Sequence, residues 1–114
     1  MATILAHAQS SDQAQPPLDC SYGPLMKMVA GAEWQVFSCD GADQMVLVAT
    51  RSNPAFFSYV LFRWRDGVLQ TYAEGQGDAK AREAARAEIG RLTRTEHDAL
   101  RSETRAKGRS QPSR

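Results

Sequence analysis

The side chains able to do acid–base, nucleophilic or metal chemistry are few. Two histidines, His7 and His97, and two cysteines, Cys20 and Cys39, stand in a chain of 114 residues. Metal sites need such ligands at short, repeated spacings, and the chain has neither a Cys-x-x-Cys nor a His-x₃-His. No metal and no other cofactor is expected. A nucleophile needs a base in reach and a third group to orient that base. His97 is the one histidine beyond the N-terminal segment, and no Gly-x-Ser-x-Gly elbow accompanies it. Its neighbour Asp98 and its polar surroundings mark it as a solvated residue on a helix surface.

Other arrangements fare no better. Gly75-Gln76-Gly77 precedes a helix, but a dinucleotide fingerprint needs a further glycine at position 80, which is Lys, and Asp78 would repel an anion. Glu33, Asp40, Asp43, Asp66 and Glu74 fall at turns and strand ends, where carboxylates cap and solubilise, and nothing pairs two of them across a cleft. No catalytic residue is assigned, and the chain reads as non-enzymatic.

Cys20 and Cys39 are expected to pair. An even count of two in a short chain with export features reads as one disulfide. Closing a loop of that length stabilises by roughly 3 kcal/mol in the chain-entropy model. Tyr59, Arg63, Arg65 and Tyr72 form the best candidate for a binding surface, a basic and aromatic sheet face. Trp64 points away from it, which weakens the case for base stacking.

Charge adds a second, weaker candidate. Residues 1–77 carry four Lys or Arg against seven Asp or Glu, and residues 78–114 carry ten against six. The basic second part would suit nucleic acid or another anion. Its arginines alternate with glutamates at helical spacing, however, as on a solvated helix, so a nucleic-acid partner is not expected.

The elements that position these residues follow from turn chemistry and periodicity. Glu33 to Cys39, Gln44 to Thr50, Phe56 to Arg65 and Val68 to Glu74 read as four strands in an antiparallel meander, separated by Asp40-Gly41, Asn53-Pro54 and Asp66-Gly67. If Asp66-Gly67 makes a two-residue turn, Trp64 faces Leu69, Phe62 faces Thr71 and Val60 faces Ala73 on one side of the sheet. Arg65 with Val68, Arg63 with Gln70, Leu61 with Tyr72 and Tyr59 with Glu74 then share the other. Val46 and Val48, or else Met45 and Leu47, join the core beside Val60, Phe62, Trp64 and Leu69. Leu25 to Val29 reads equally as an edge strand or as one helical turn.

From Asp78, a good N-cap, the period becomes helical, with Ala81, Ala85, Ile89 and Leu92 in one stripe. Thr95 and Asp98 approximate a capping box, so a break near Thr93 to Thr95 and a second helix from Glu96 to about Arg105 are expected, with only Ala99 and Leu100 as its apolar side. The predicted fold is α+β: a four-stranded antiparallel meander followed by one broken helix or two C-terminal helices packed on one face.

The ends complete the organisation. Ala6-His7-Ala8 has the small-x-small form of a signal-peptide cleavage site, so residues 1–8 read as a signal-peptide remnant and 9–19 as a flexible leader. Residues 20–106 are expected to form one α+β domain and 107–114 a loose tail. No apolar run approaches the ~20 residues of a membrane span. The chain is therefore expected to be periplasmic or secreted, and to act by binding a protein or ligand in the cell envelope. The alternative is a cytosolic nucleic-acid or anion binder using the basic C-terminal region.

Overall fold

A computed structural model describes residues 19–40 and 43–110. The signal-peptide remnant and all of the leader except Asp19 lie outside the described residues, as does Gly41 of the expected Asp40-Gly41 turn. Five strands form one antiparallel sheet in chain order: β1 (Tyr22–Val29), β2 (Ala32–Ser38), β3 (Gln44–Ala49), β4 (Ser58–Arg65) and β5 (Val68–Gly75). Two helices follow, α1 (Ala79–Ile89) and α2 (Arg94–Lys107). The meander thus has five strands, not four. The extra one is β1, which pairs with β2 through Ala30-Gly31 and carries a bulge between Tyr22 and Leu25, where Pro24 sits on the sheet edge.

The β4–β5 hairpin has the register expected from its turn. Trp64 lies opposite Leu69, Phe62 opposite Thr71 and Val60 opposite Ala73. Asp66 and Gly67 both take positive φ, 53° and 75°, as a type I′ turn requires. Between the two alternatives for β3, the structure turns Met45 and Leu47 inward: both are fully buried, and they face Phe62 and Val60 across the strand pair.

Both helices cover the same side of the sheet. α1 lies over β4 and β5, and α2 over β1 and β2. The core between the layers holds Val29, Trp34, Val36, Met45, Leu47, Val60 and Phe62 from the sheet, with Ala85, Ile89 and Leu100 from the helices. Ala81 and Leu92 complete the α1 stripe at its ends. Burying an Ile, Leu or Phe of this kind contributes about 1.5–3 kcal/mol. Asp78 caps α1, its carboxylate accepting from the amide of Ala81 at 2.8 Å.

The start of α2 departs from expectation. Its N-cap is Thr93, whose hydroxyl accepts from the Glu96 amide at 3.1 Å, while the Glu96 carboxylate accepts from the Thr93 amide at 2.9 Å. This is a full capping box, and it starts the helix two residues earlier than Thr95–Asp98 would. His97 is also a correction. It is 0% exposed, not solvated, because it lies on the face of α2 that carries Leu100 and Thr104 inward. Its ring stands edge-on to Phe62 and Trp64, centroids 5.8 Å away in each case. On the same side of α2, the buried hydroxyls of Thr104 and Ser38 meet at 2.8 Å.

Past α2 the chain is tied back to β1. The Gly108 carbonyl accepts from the Gly23 amide at 3.0 Å, and the Ser110 amide donates to the Ser21 carbonyl at 2.7 Å. The loose tail expected from Lys107 therefore starts no earlier than 111, and residues 111–114 lie outside the described residues.

Candidate functional site

Strand parity leaves the second side of the sheet uncovered by either helix. Its rows run from β1 to β5 as Met26, Gln35, Val48, Tyr59, Glu74, and next to them Phe37, Val46, Leu61, Tyr72. Gln44, Arg63 and Gln70 make the row beyond, and Arg65 with Val68 close that end. The large apolar side chains left most exposed among the described residues are Met26, Met28, Phe57, Val68 and Tyr72. Every one of them is on this side.

The four residues expected to make a binding face are all here. Tyr59, Arg63 and Arg65 project from β4, and Tyr72 from β5 between them in register. Arg63 donates from Nε to Gln70 Oε1 at 3.0 Å, which fixes its direction along the face. Tyr59 and Tyr72 converge on Glu74, donating to one carboxylate oxygen at 3.2 and 2.6 Å. These bonds, Tyr72's first, hold the Glu74 carboxyl below its usual range. The same contact is the main cause of the raised Tyr72 phenol, whereas burial leads for Tyr59. Glu74 is thus an anion with neutral partners, and Arg63 a cation with a neutral one.

Sequence reading missed the apolar part of this face. A concavity of about 500 Å³ is lined by Val46, Val48, Leu61, Phe56 and Phe57, with Cys20 at its border. Beside it lies a more polar depression of about 360 Å³ floored by Gln44, Arg63, Gln70 and Tyr72. The expected strand takes in Phe56 and Phe57, whereas β4 begins at Ser58, so nothing in the sequence singles out Phe57 as exposed.

Phe57 is 68% exposed and takes a φ of 76°. A bulky residue in the left-handed region costs on the order of 1–3 kcal/mol and persists only where its surroundings over-determine it. They do so here. Asn53 donates to the Glu33 carbonyl at 2.7 Å and accepts from the Ala55 amide at 2.8 Å. The Asp78 amide donates to the Pro54 carbonyl and the Gln76 amide to the Phe57 carbonyl. The guanidinium of Arg82 bridges Ser58 Oγ and the carbonyls of Gly75 and Gly77 at 3.1–3.3 Å. At Gly77 an added Cβ would collide with the Ala55 carbonyl, so only glycine allows the loop and the strand-to-helix connection to approach this closely.

The disulfide Cys20–Cys39 closes one border of the face. It is reinforced by Arg109, which donates to Asp19 and to Asp40 at 2.7 Å each, so that the residues flanking the two cysteines are clamped together. The guanidiniums of Arg105 and Arg109 both lie over the Tyr22 ring, 4.4 and 4.5 Å from its centroid. Both cysteines are consumed by the bridge. His97 has no nucleophile beside it, and both its ring nitrogens lack a hydrogen-bond partner. The described residues contain no cluster of His, Cys, Asp or Glu fit to hold a metal, and no helix long and apolar enough to cross a membrane.

Four arginines of the basic region, Arg86, Arg94, Arg101 and Arg109, are in ion pairs. Arg94 and Arg101 reach Asp43, Arg94 also reaches Asp98, Arg86 pairs with Glu83, and Arg109 holds Asp19 and Asp40. Comparison of the chain with protein-family models, with curated proteins and with solved structures gives no match.

Proposed function

We propose that this protein is an exported, non-enzymatic binding module that docks another protein surface against the open face of its sheet. The observation that carries the reading is the concentration of exposed apolar and aromatic side chains on that one face, around a concavity of about 500 Å³. Contiguous apolar surface rimmed by polar groups is the common mark of an interaction site. Tyr59, Tyr72 and Arg63 are also of the residue types that dominate binding hot spots. Phe57 supports the reading further, since a locked loop holds it outward at a conformational cost.

Export is supported by the Cys20–Cys39 bridge, which suits an oxidising compartment. The anion-binding alternative is disfavoured by the ion pairs that occupy Arg86, Arg94, Arg101 and Arg109. The test is retention from an envelope extract of the native host on immobilised wild-type protein and on a Val48→Glu variant. Val48 faces outward, so the variant keeps the fold. Retention by wild type and not by the variant is the expected result, and equal retention by both would sink the reading.

A further inference from the structure

The open face carries its charges asymmetrically along the strand direction. Toward one end, the row holding Val48 ends in the Tyr59–Glu74 pair. Toward the other, the row holding Gln44 carries Arg63, and Arg65 lies one row beyond. Between them runs the apolar row of Phe37, Val46 and Leu61, ending at Tyr72. Among the described residues, neither Arg63 nor Glu74 is in an ion pair. A surface of this pattern is self-complementary under one rotation. A two-fold axis lying along the apolar row, perpendicular to the strands, turns the face over onto itself. Each apolar residue then meets its own copy, and the Arg63 row meets the Glu74 row. A two-fold axis parallel to the strands would instead set the Arg63 row against itself.

Size agrees. The sheet is five strands wide, about 24 Å at the usual strand spacing. The outward rows along β4, from Phe57 to Arg65, extend about 26 Å. Roughly 600 Å² per copy results, or roughly 1,200 Å² for two, the lower end of stable interfaces. Two sheets packed face to face also form an aligned sandwich, with side chains of both inner faces interdigitating.

We infer that the partner docked on the open face is a second copy of this chain, packed sheet to sheet about a two-fold axis along the Phe37–Val46–Leu61 row, with Arg63 of each copy set over Tyr59 of the other and beside the Glu74 that Tyr59 holds. The inference rests on the docking reading above and assigns its partner.

Charge reversal tests it, because the proposed geometry makes an unusual demand. In Arg63→Glu, the new carboxylate of each copy would lie over Tyr59 of the other, one strand spacing from the Glu74 carboxylate that Tyr59 holds at 3.2 Å. In Glu74→Arg, the new guanidinium of each copy would lie over Gln70 of the other, one strand spacing from its Arg63 guanidinium. Both variants should therefore be weakened as homodimers by at least about tenfold, since juxtaposed like charges are strongly disfavoured at interfaces. An equimolar mixture of the two should associate again, because in the heterodimer residue 63 of each copy is opposite in sign to the neighbouring residue 74 of the other. Sedimentation velocity at high micromolar concentration reads all three, with thermal melts confirming that each variant is folded.

The expected results are dimeric wild type, monomeric single variants and a dimeric mixture. A mixture that stays monomeric, or single variants that dimerise like wild type, overturns the arrangement. A monomeric wild type overturns the assignment of a second copy and leaves the face to residues 1–18 of this chain or to a different protein. The docking reading itself falls only if Val48→Glu leaves retention unchanged, so the two failures are distinguishable.

Discussion

Protonating His97 would set a charge on a fully buried ring that has no hydrogen-bond partner, with the nearest carboxylate oxygen, Asp98 Oδ1, 3.9 Å from Nδ1. Burial against Phe62 and Trp64 is the main force lowering its pKa below the usual 6.5. Asp43, from the connection before β3, and Asp98 pull the other way, while Arg94 and Arg101 add to the lowering. The unfolded chain therefore takes up a proton that the folded chain resists. Stability is complete above pH 6.5 and declines as the pH falls from there toward the folded pKa. The carboxylates whose pKa values are lowered, Asp40, Glu74 and Glu83, lose their contribution only below their ordinary values of 3.8 and 4.5. The urea midpoint is thus expected to drop between about pH 7 and about pH 5, and His97→Leu to remove most of that drop. An unchanged pH dependence in the variant would refute the assignment. Thr104→Val tests the neighbouring buried pair: leaving the Ser38 hydroxyl without its partner should cost about 1–3 kcal/mol in denaturant unfolding. Neither role was legible in sequence, because Arg94, Glu96 and Asp98 around His97 describe a polar helix. What turns that side inward is the sheet beneath it.

At the scale of elements, legibility tracks local chemistry. Asp66-Gly67 dictated the β4–β5 register, because a two-residue turn leaves one pairing that keeps Arg63 and Arg65 out of the core. β1 and β3 were ambiguous for one shared reason. Leu25 and Val29 point inward while Met26 and Met28 point out, and Met45 and Leu47 point inward while Val46 and Val48 point out. Strands apolar on both sides have no period-two signal, so the feature that hid their orientation is the same one that makes the open face sticky. The early start of α2 was readable in principle, since Thr93-x-x-Glu96 is a better capping box than Thr95-x-x-Asp98. Thr93→Ala should cost about 1 kcal/mol in thermal unfolding, and Thr95→Ala much less. Gly77→Ala forces the Ala55 loop away from the connection into α1. A loss of about 1–3 kcal/mol is expected from such overpacking, and an unaffected melting temperature would contradict the close approach. The return of residues 108–110 onto β1 and the Arg109 clamp join positions too far apart in sequence for any local pattern to reveal.

Over the whole molecule, the acidic first part and the basic second part of the chain are joined by a few partly exposed ion pairs. Asp19, Asp40 and Asp43 from before and between the strands hold Arg94, Arg101 and Arg109 from the helical end. These pairs tie the helical end to the start of the sheet, while the apolar, aromatic side of the sheet, with Arg63 and Glu74 at opposite ends, is covered by neither helix. The residues of that side do not build the core, so Val48→Glu should lower stability little while abolishing association. Loss of both together, seen by melting and by sedimentation, would mean that the face is part of the fold's own support. The most direct test of docking through this face is photo-crosslinking in the native host, with a benzoylphenylalanine in place of Tyr72 on the open side and, separately, in place of Glu103 on the solvent side of α2. The account predicts a discrete crosslinked product from position 72 and none from 103. No product from 72, or equal products from both, would contradict it.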